Sequence, residues 1–162
     1  MSVFPMTNSK VTNIVIGGLG GQGVLRSSDI LADAALRAGF DVKKSELHGM
    51  SQRGGSVSSD VRFGDHVFSP MVPAGEADFL LILTADQVEP NRHVLREGGR
   101  LILPDLINSD KLLNRKSVNV ALLGVLSREL PIAEEHWLAA IRANFAAKLI
   151  PANEQAFKLG RA

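Results

Sequence analysis

The stretch from Asn13 to Val24 constrains this chain most: an apolar strand runs into a turn carrying five glycines and then into a helix. Glycine tolerates positive φ and has no Cβ, so such a turn lets a ligand or another chain approach the backbone closely. Where the turn opens a helix, free N–H groups and the positive end of the dipole favour an anion, phosphate first. Gly18-Leu19-Gly20-Gly21-Gln22-Gly23 also satisfies the dinucleotide fingerprint G-x-G-x-x-G, which alone is unspecific. Val24 and Leu25 stand where a Walker A loop needs Lys and Ser/Thr, so P-loop NTPase chemistry drops out. A tight strand-to-helix connection whose glycines serve only packing stays open.

Composition narrows what surrounds the turn. The 162 residues are enough for one domain with a proper core and too few for two, so a single domain over 1–162 is expected, with 1–10 flexible. Hydrophobic residues at 45% and charged residues at 22% suit an ordinary globular protein. The 18 basic and 17 acidic residues form no Lys/Arg run that would track phosphates, which argues against nucleic acid. There is no cysteine, hence no disulfide, no thiolate nucleophile and no Cys ligand for an iron–sulfur cluster or structural zinc. Any such cluster must belong to a partner. Met1 to Lys10 lacks a leader pattern and no apolar stretch reaches membrane-spanning length, so a cytoplasmic protein without a membrane partner is expected.

Along the chain, Val11 to Ile16 reads as a strand and the helix after the turn runs to about Ala38, with Gly39 as its cap. Phe40 to Leu47 is a second strand, and the period of two from Ser56 to Phe63 is a third. Gly64-Asp65 suits a II′ turn returning through His66-Val67-Phe68, one antiparallel hairpin before Pro70 and Pro73. The apolar run Phe79 to Leu83 predicts a central parallel strand, followed by a helix around Asp86 to Leu95 that Gly98-Gly99 ends. Arg100 to Leu103 is a further strand, and helices follow over Val120 to Leu130, Ala133 to Phe145 and Pro151 to Leu159. The expected fold is α/β in three layers: a mostly parallel sheet with one antiparallel hairpin and helices on both faces.

Candidate chemistry is sparse. His66, His93 and His136 read as surface or packing residues, and no histidine pair has zinc-hydrolase spacing. His48 opens the polar loop that holds Ser51, Gln52 and Arg53, and structural and functional readings stand side by side. In Arg53-Gly54-Gly55-Ser56, a guanidinium beside bare backbone can grip a carboxylate or phosphate, though a plain surface arginine is the alternative. Gly55-Ser56-Val57-Ser58 sits at a strand start and is no nucleophile elbow. Glu46, 23 positions beyond Gly23, stands where a dinucleotide fold places its ribose-binding acid, which keeps a NAD(P) or flavin oxidoreductase, or a non-enzymatic nucleotide-binding module, in view.

Two ordered motifs carry a family likeness: Ile14 to Val24 with its glycine turn, then Ser45-Glu46-Leu47-His48-Gly49-Met50-Ser51-Gln52-Arg53-Gly54-Gly55-Ser56-Val57. With Ser69-Pro70 and Gly75-Glu76-Ala77-Asp78 downstream, the chain from Asn13 to Gly160 resembles the gamma-type subunit of 2-oxoacid:ferredoxin oxidoreductases. Its His-Gly-Met-Ser-Gln-Arg-Gly-Gly form is most similar to the indolepyruvate branch, the beta subunit there.

The resemblance implies a supporting subunit of an enzyme that decarboxylates indolepyruvate or another arylpyruvate to an acyl-CoA. Thiamine diphosphate, magnesium and iron–sulfur clusters would sit on a large partner subunit, ferredoxin would take electrons through the complex, and coenzyme A would be shared. Gly18, Gly20, Gly21, Gln22, Gly23, His48, Ser51, Gln52, Arg53, Gly54, Gly55 and Ser56 would bind ligand or partner, with no catalytic residue assigned in this chain. The two segments are expected side by side at one end of the sheet. One departure stands out: many members of that family carry a further strand–helix unit where only about 16 residues, Pro104 to Asn119, bridge here.

Overall fold

The computed structural model describes residues 10–48 and 55–162. Its strands are β1 (Thr12–Leu19), β2 (Asp41–His48), β3 (Ser56–Gly64), β4 (Ala77–Ile82) and β5 (Leu95–Ile102). Its helices are α1 (Val24–Arg37), the single turn α2 (Val88–Asn91), α3 (Val118–Ser127), α4 (Glu134–Asn144) and α5 (Ile150–Arg161). The flexible start expected for 1–10 lies, apart from Lys10, outside the described residues.

The sheet order is β2-β3-β1-β4-β5. β1, β4 and β5 are parallel neighbours, while β3 runs antiparallel to both β1 and β2. Every strand but β3 therefore shares one direction, which gives the mostly parallel α/β sheet expected.

The antiparallel hairpin is not where the turn signal put it. Residues β2 and β3 pair with one another, and β3 is also paired along its length with β1. Both edges of β3 are occupied, so the return segment His66-Val67-Phe68 finds no edge to join and is not a strand. It crosses the sheet instead, held by three side chains. Asp41 accepts the Val67 N–H at 2.8 Å, Arg62 donates to the Ser69 carbonyl at 2.8 Å, and Asp60 accepts the Val72 N–H at 2.9 Å. Asp60 and Arg62 alternate with the core residues Val61 and Phe63, as a strand period of two requires.

A second correction concerns the helix expected over Asp86 to Leu95. Only α2 is α-helical there, flanked by 3-10 turns at Ala85–Gln87 and Arg92–Val94, and β5 begins at Leu95. Pro90 brings no N–H to a longer helix. Gly98, at φ +77°, sits inside β5 rather than ending a helix, close to where the β4–β5 register shifts between Ala77 and Phe79. Between β5 and α3 the chain makes three further 3-10 turns, with Asn108 and Asn114 accepting the N–H groups of Asp110 and Lys116.

Burial is unequal on the two faces. Ile14, Ile16, Val61, Phe63, Leu81 and Ile102 pack under α1, α3, α4 and α5, where Trp137 and Phe157 lie 5.5 Å apart. Helix α3 is buried from Asn119 to Ser127, which explains its uniformly apolar sequence. It meets α5 backbone to backbone: a Cβ on Gly160 would lie 1.8 Å from the Ala121 carbonyl oxygen, and one on Gly124 would lie 2.2 Å from that of Phe157. The opposite face is thinner, with Val15, Leu80 and Ile82 covered by Val72 and Val88. Helix α1 ends as its sequence predicts. Gly39 at φ +96° lets its N–H reach the Leu36 carbonyl at 3.0 Å while the Phe40 N–H reaches Ala35 at 3.1 Å.

Candidate functional site

The glycine turn lies at the C-terminal end of β1, and its backbone groups are largely engaged within the turn. The Leu19 N–H donates to Gln22 Oε1 at 2.7 Å, the Gln22 N–H to the Leu19 carbonyl at 3.1 Å, and the Gly20 N–H to the Gly55 carbonyl at 2.9 Å. An anion here would therefore meet the first amides of α1 rather than those of Leu19, Gly20 or Gln22.

Two fingerprint glycines have internal reasons. A Cβ on Gly18 would lie 2.8 Å from Gln22 Oε1, and one on Gly23, itself at φ +90°, would lie 2.6 Å from Asn119 Nδ2. Gly21, at φ +89°, meets nothing within 4 Å and is the open point of the turn. Asn119 of α3 donates to Ser27 Oγ at 3.0 Å and toward the Gly23 carbonyl at 3.4 Å, which ties the head of α1 to the buried helix.

The second motif arrives at the same end of the sheet. In the β1–β3 register Leu19 stands opposite Ser56 and Gly18 opposite Val57, and His48 closes β2 opposite Val57. Gly55 and Ser56 thus adjoin the glycine turn. Ser51, Gln52, Arg53 and Gly54 lie outside the described residues.

Clefts open on both sides of the turn. One, of about 510 Å³, runs along Leu19, Gly20, Gly21, Leu25 and Asp29. Another, of about 270 Å³, lies between Gln22, Arg26, Lys116, Asn119 and Asn153, two cations and three carboxamides beside the start of α1. Arg26 donates to the Asn144 carbonyl and lies 5.2 Å from the Phe145 ring centroid, so its charge is held in place. Sequence reasoning missed Arg26, Lys116, Asn119 and Asn153 because three of the four come from distant helices and turns, which no local motif links to the glycines.

The dinucleotide reading meets a topological obstacle. A Rossmann unit sets its second strand beside the first, whereas here β3 separates β2 from β1, two strand spacings or about 10 Å. Glu46 instead bonds Lys44 at 3.2 Å. Partial burial acts to lower the Lys44 pKa, but Asp29 and Glu46 outweigh it and hold the ammonium above its ordinary value.

Residues 13–162 match the family model described as pyruvate ferredoxin/flavodoxin oxidoreductase. The chain belongs to this family. Among pyruvate ferredoxin/flavodoxin oxidoreductase relatives, it is 36% identical to the indolepyruvate oxidoreductase subunit IorB of Thermococcus kodakarensis, covering 93% of this chain and 95% of that one. The alignment spans 193 positions against 162 residues here, so the relative is longer at internal positions.

Solved structures agree on the fold of this oxidoreductase family. The gamma subunit of a keto/oxoacid ferredoxin oxidoreductase from Geobacter sulfurreducens superposes with a TM-score of 0.77 at 23% identity, covering 93% of this chain and 94% of that one. A 2-oxoglutarate:ferredoxin oxidoreductase from Magnetococcus marinus gives 0.81 at 20% identity, covering 94% of this chain but 30% of that chain. The same fold is there one part of a much longer polypeptide. In the present family member, no cluster of three or more His, Asp or Glu side chains among the described residues could hold a metal ion. No described helix is long and apolar enough to cross a membrane.

Proposed function

We propose that this chain is the supporting subunit of a cytoplasmic, ferredoxin-dependent 2-oxoacid oxidoreductase acting on indolepyruvate or a related arylpyruvate. Thiamine diphosphate, magnesium and iron–sulfur clusters belong to a larger partner subunit, where they supply decarboxylation and electron transfer. This chain closes the active site with two motifs at one end of its sheet. The observation that carries the reading is the Gly20–Gly55 hydrogen bond at 2.9 Å, which joins the glycine turn to the residue that precedes β3. The 36% identity to an indolepyruvate oxidoreductase subunit over nearly the whole chain supports the substrate class.

Two roles fit the turn. The amides at the start of α1, with Arg26 and Lys116, suit the phosphates of coenzyme A, and Arg53 suits a phosphate or the substrate carboxylate. The bare backbone at Gly21 equally suits close approach of the partner chain.

Affinity purification from the native host tests the division of labour. A large subunit carrying thiamine diphosphate and iron–sulfur clusters is expected to come with this chain, and the isolated chain is expected to reduce no dye with arylpyruvate. Dye reduction by the isolated chain overturns the reading.

A further inference from the structure

We propose that the crevice between α2 and the adjoining ends of β2 and β3 is a pocket for an aromatic ring carrying one N–H donor, with Gln87 as the acceptor that recognises it. The inference rests on the arylpyruvate reading above and adds to it the part of this chain that selects the ring.

The crevice lies beside the point where the sheet's connections part. The connection leaving β1 goes through α1 toward β2 on one side of the sheet, and that leaving β4 goes through α2 to β5 on the other. Ligand crevices in open α/β sheets form where connections part in this way. The Leu83 N–H bonds the Gly17 carbonyl at 2.9 Å and closes β4 against β1, whose Gly17 stands opposite the lining residue Ser58.

The chemistry of the walls selects the occupant. The crevice holds about 330 Å³, with Leu47 and Pro90 as apolar wall and Ser56, Ser58 and Asn91 as neutral polar groups beside Gln87. That volume is at the small end for ligand pockets and suits a ring rather than a nucleotide. Among the described residues no charged side chain lines it. Leu47 stands opposite Ser58 in the β2–β3 register, and both therefore lie on the same face of the sheet.

Gln87 is 8% exposed and its Oε1 has no hydrogen-bond partner among the described residues. A buried acceptor left unpaired is destabilising, and a native structure that keeps one has a use for it. The Asn91 carboxamide is anchored, its Nδ2 donating to the Gln87 backbone carbonyl at 2.8 Å. That bond also fixes the turn bearing Gln87. Gly17 makes room for it, since a Cβ there would lie 2.9 Å from Asn91 Nδ2. An indole ring brings apolar faces and one N–H; a phenyl ring brings only the faces.

The test has two arms, using the full chain and the reconstituted complex. In the full chain labelled with ¹⁵N, indole is expected to shift the Gln87 side-chain amide saturably, with 1-methylindole binding about tenfold more weakly. Equal affinities, or no shift with either, overturn the proposal whatever the enzyme's substrate. In the complex, Gln87→Leu is expected to raise KM for indolepyruvate about tenfold while leaving kcat, and both constants for phenylpyruvate, unchanged. Gln87→Glu, which keeps an acceptor, is expected to restore the preference for indolepyruvate over 1-methylindolepyruvate. Gln87→Leu that folds and leaves the indole-to-phenyl ratio untouched overturns the proposal. Indole binding at Gln87 in a complex that turns over no arylpyruvate leaves the pocket standing and removes the functional reading instead.

Discussion

Asp60 Oδ2 holds the backbone N–H of Val72 at 2.9 Å from a position the strand alternation turns away from the main core. Together with Asp41 on Val67, it straps the crossing segment to the sheet. The two carboxyls respond oppositely to pH. Burial pushes the Asp60 pKa up, against the Val72 bond and Arg62, whereas the Val67 N–H and Lys43 hold Asp41 below its ordinary value. A raised carboxyl pKa means the folded state keeps its proton longer than the unfolded chain. Asp60 therefore disfavours folding increasingly as pH rises from the ordinary carboxylate value of 3.8 through its own raised value. Asp41 contributes stability that is present above 3.8 and lost as pH falls through its lowered value. Urea midpoints measured against pH are expected to show Asp60→Asn gaining on the wild type with rising pH across that window and then levelling. A constant difference would contradict the burial of the charge.

The α3–α5 contact has no room for a methyl group. Gly160→Ala is expected to cost about 3 kcal/mol, because the Cβ meets backbone that can yield only by moving a helix. Gly39→Ala, where the surroundings are open and only the positive φ objects, is expected to cost about 1–2 kcal/mol. The single tryptophan, Trp137, is fully buried and its emission reports unfolding in both cases. Equal stability of wild type and Gly160→Ala would mean the helices are not so close.

Gln22 serves the turn before it serves any ligand. Removing its Oε1 in Gln22→Leu strands the Leu19 N–H and is expected to destabilise by about 1–2 kcal/mol, while Gln22→Glu keeps the acceptor and most of the stability. Chemical denaturation separates the two. Loss of complex formation by Gln22→Leu at full stability would instead assign Gln22 to a partner.

Arg53→Ala is expected to lower affinity for coenzyme A or substrate in the complex by about 1.5–3 kcal/mol, the usual worth of a charged hydrogen bond, or roughly ten- to hundredfold. Steady-state kinetics with each varied in turn identifies which one Arg53 meets. Unchanged constants for both would take Arg53 out of the site.

Local patterns made much of this fold legible. The strand read over Val11 to Ile16, the glycine turn and the helix capped by Gly39 form as their periodicity and caps dictate. The Ser56 to Phe63 alternation named a strand correctly but could not name its neighbours. Gly64-Asp65 has the residues of a hairpin turn, yet β3 is already paired on both sides, a non-local fact. Gly98-Gly99 read as a stop because glycine ends helices, whereas here it bends an edge strand. Arg26 and Asn119 at the glycine turn, and Gln87 beside it, became visible only once distant elements were brought together.

The insertion of β3 between β1 and β2 bears on how the protein is born. A nascent polypeptide that has emerged only as far as His48 has its first strand and its third element in place, but the lane between them is vacant. Three inner edges, one of β2 and both of β1, then await strands not yet synthesised, and until those thread in they are open to any other extended peptide. Ribosome-stalled chains ending at His48 are expected to be captured by chaperones far more readily than chains long enough to release Gly64, and this brief opening makes assembly of the sheet a matter of timing as well as sequence.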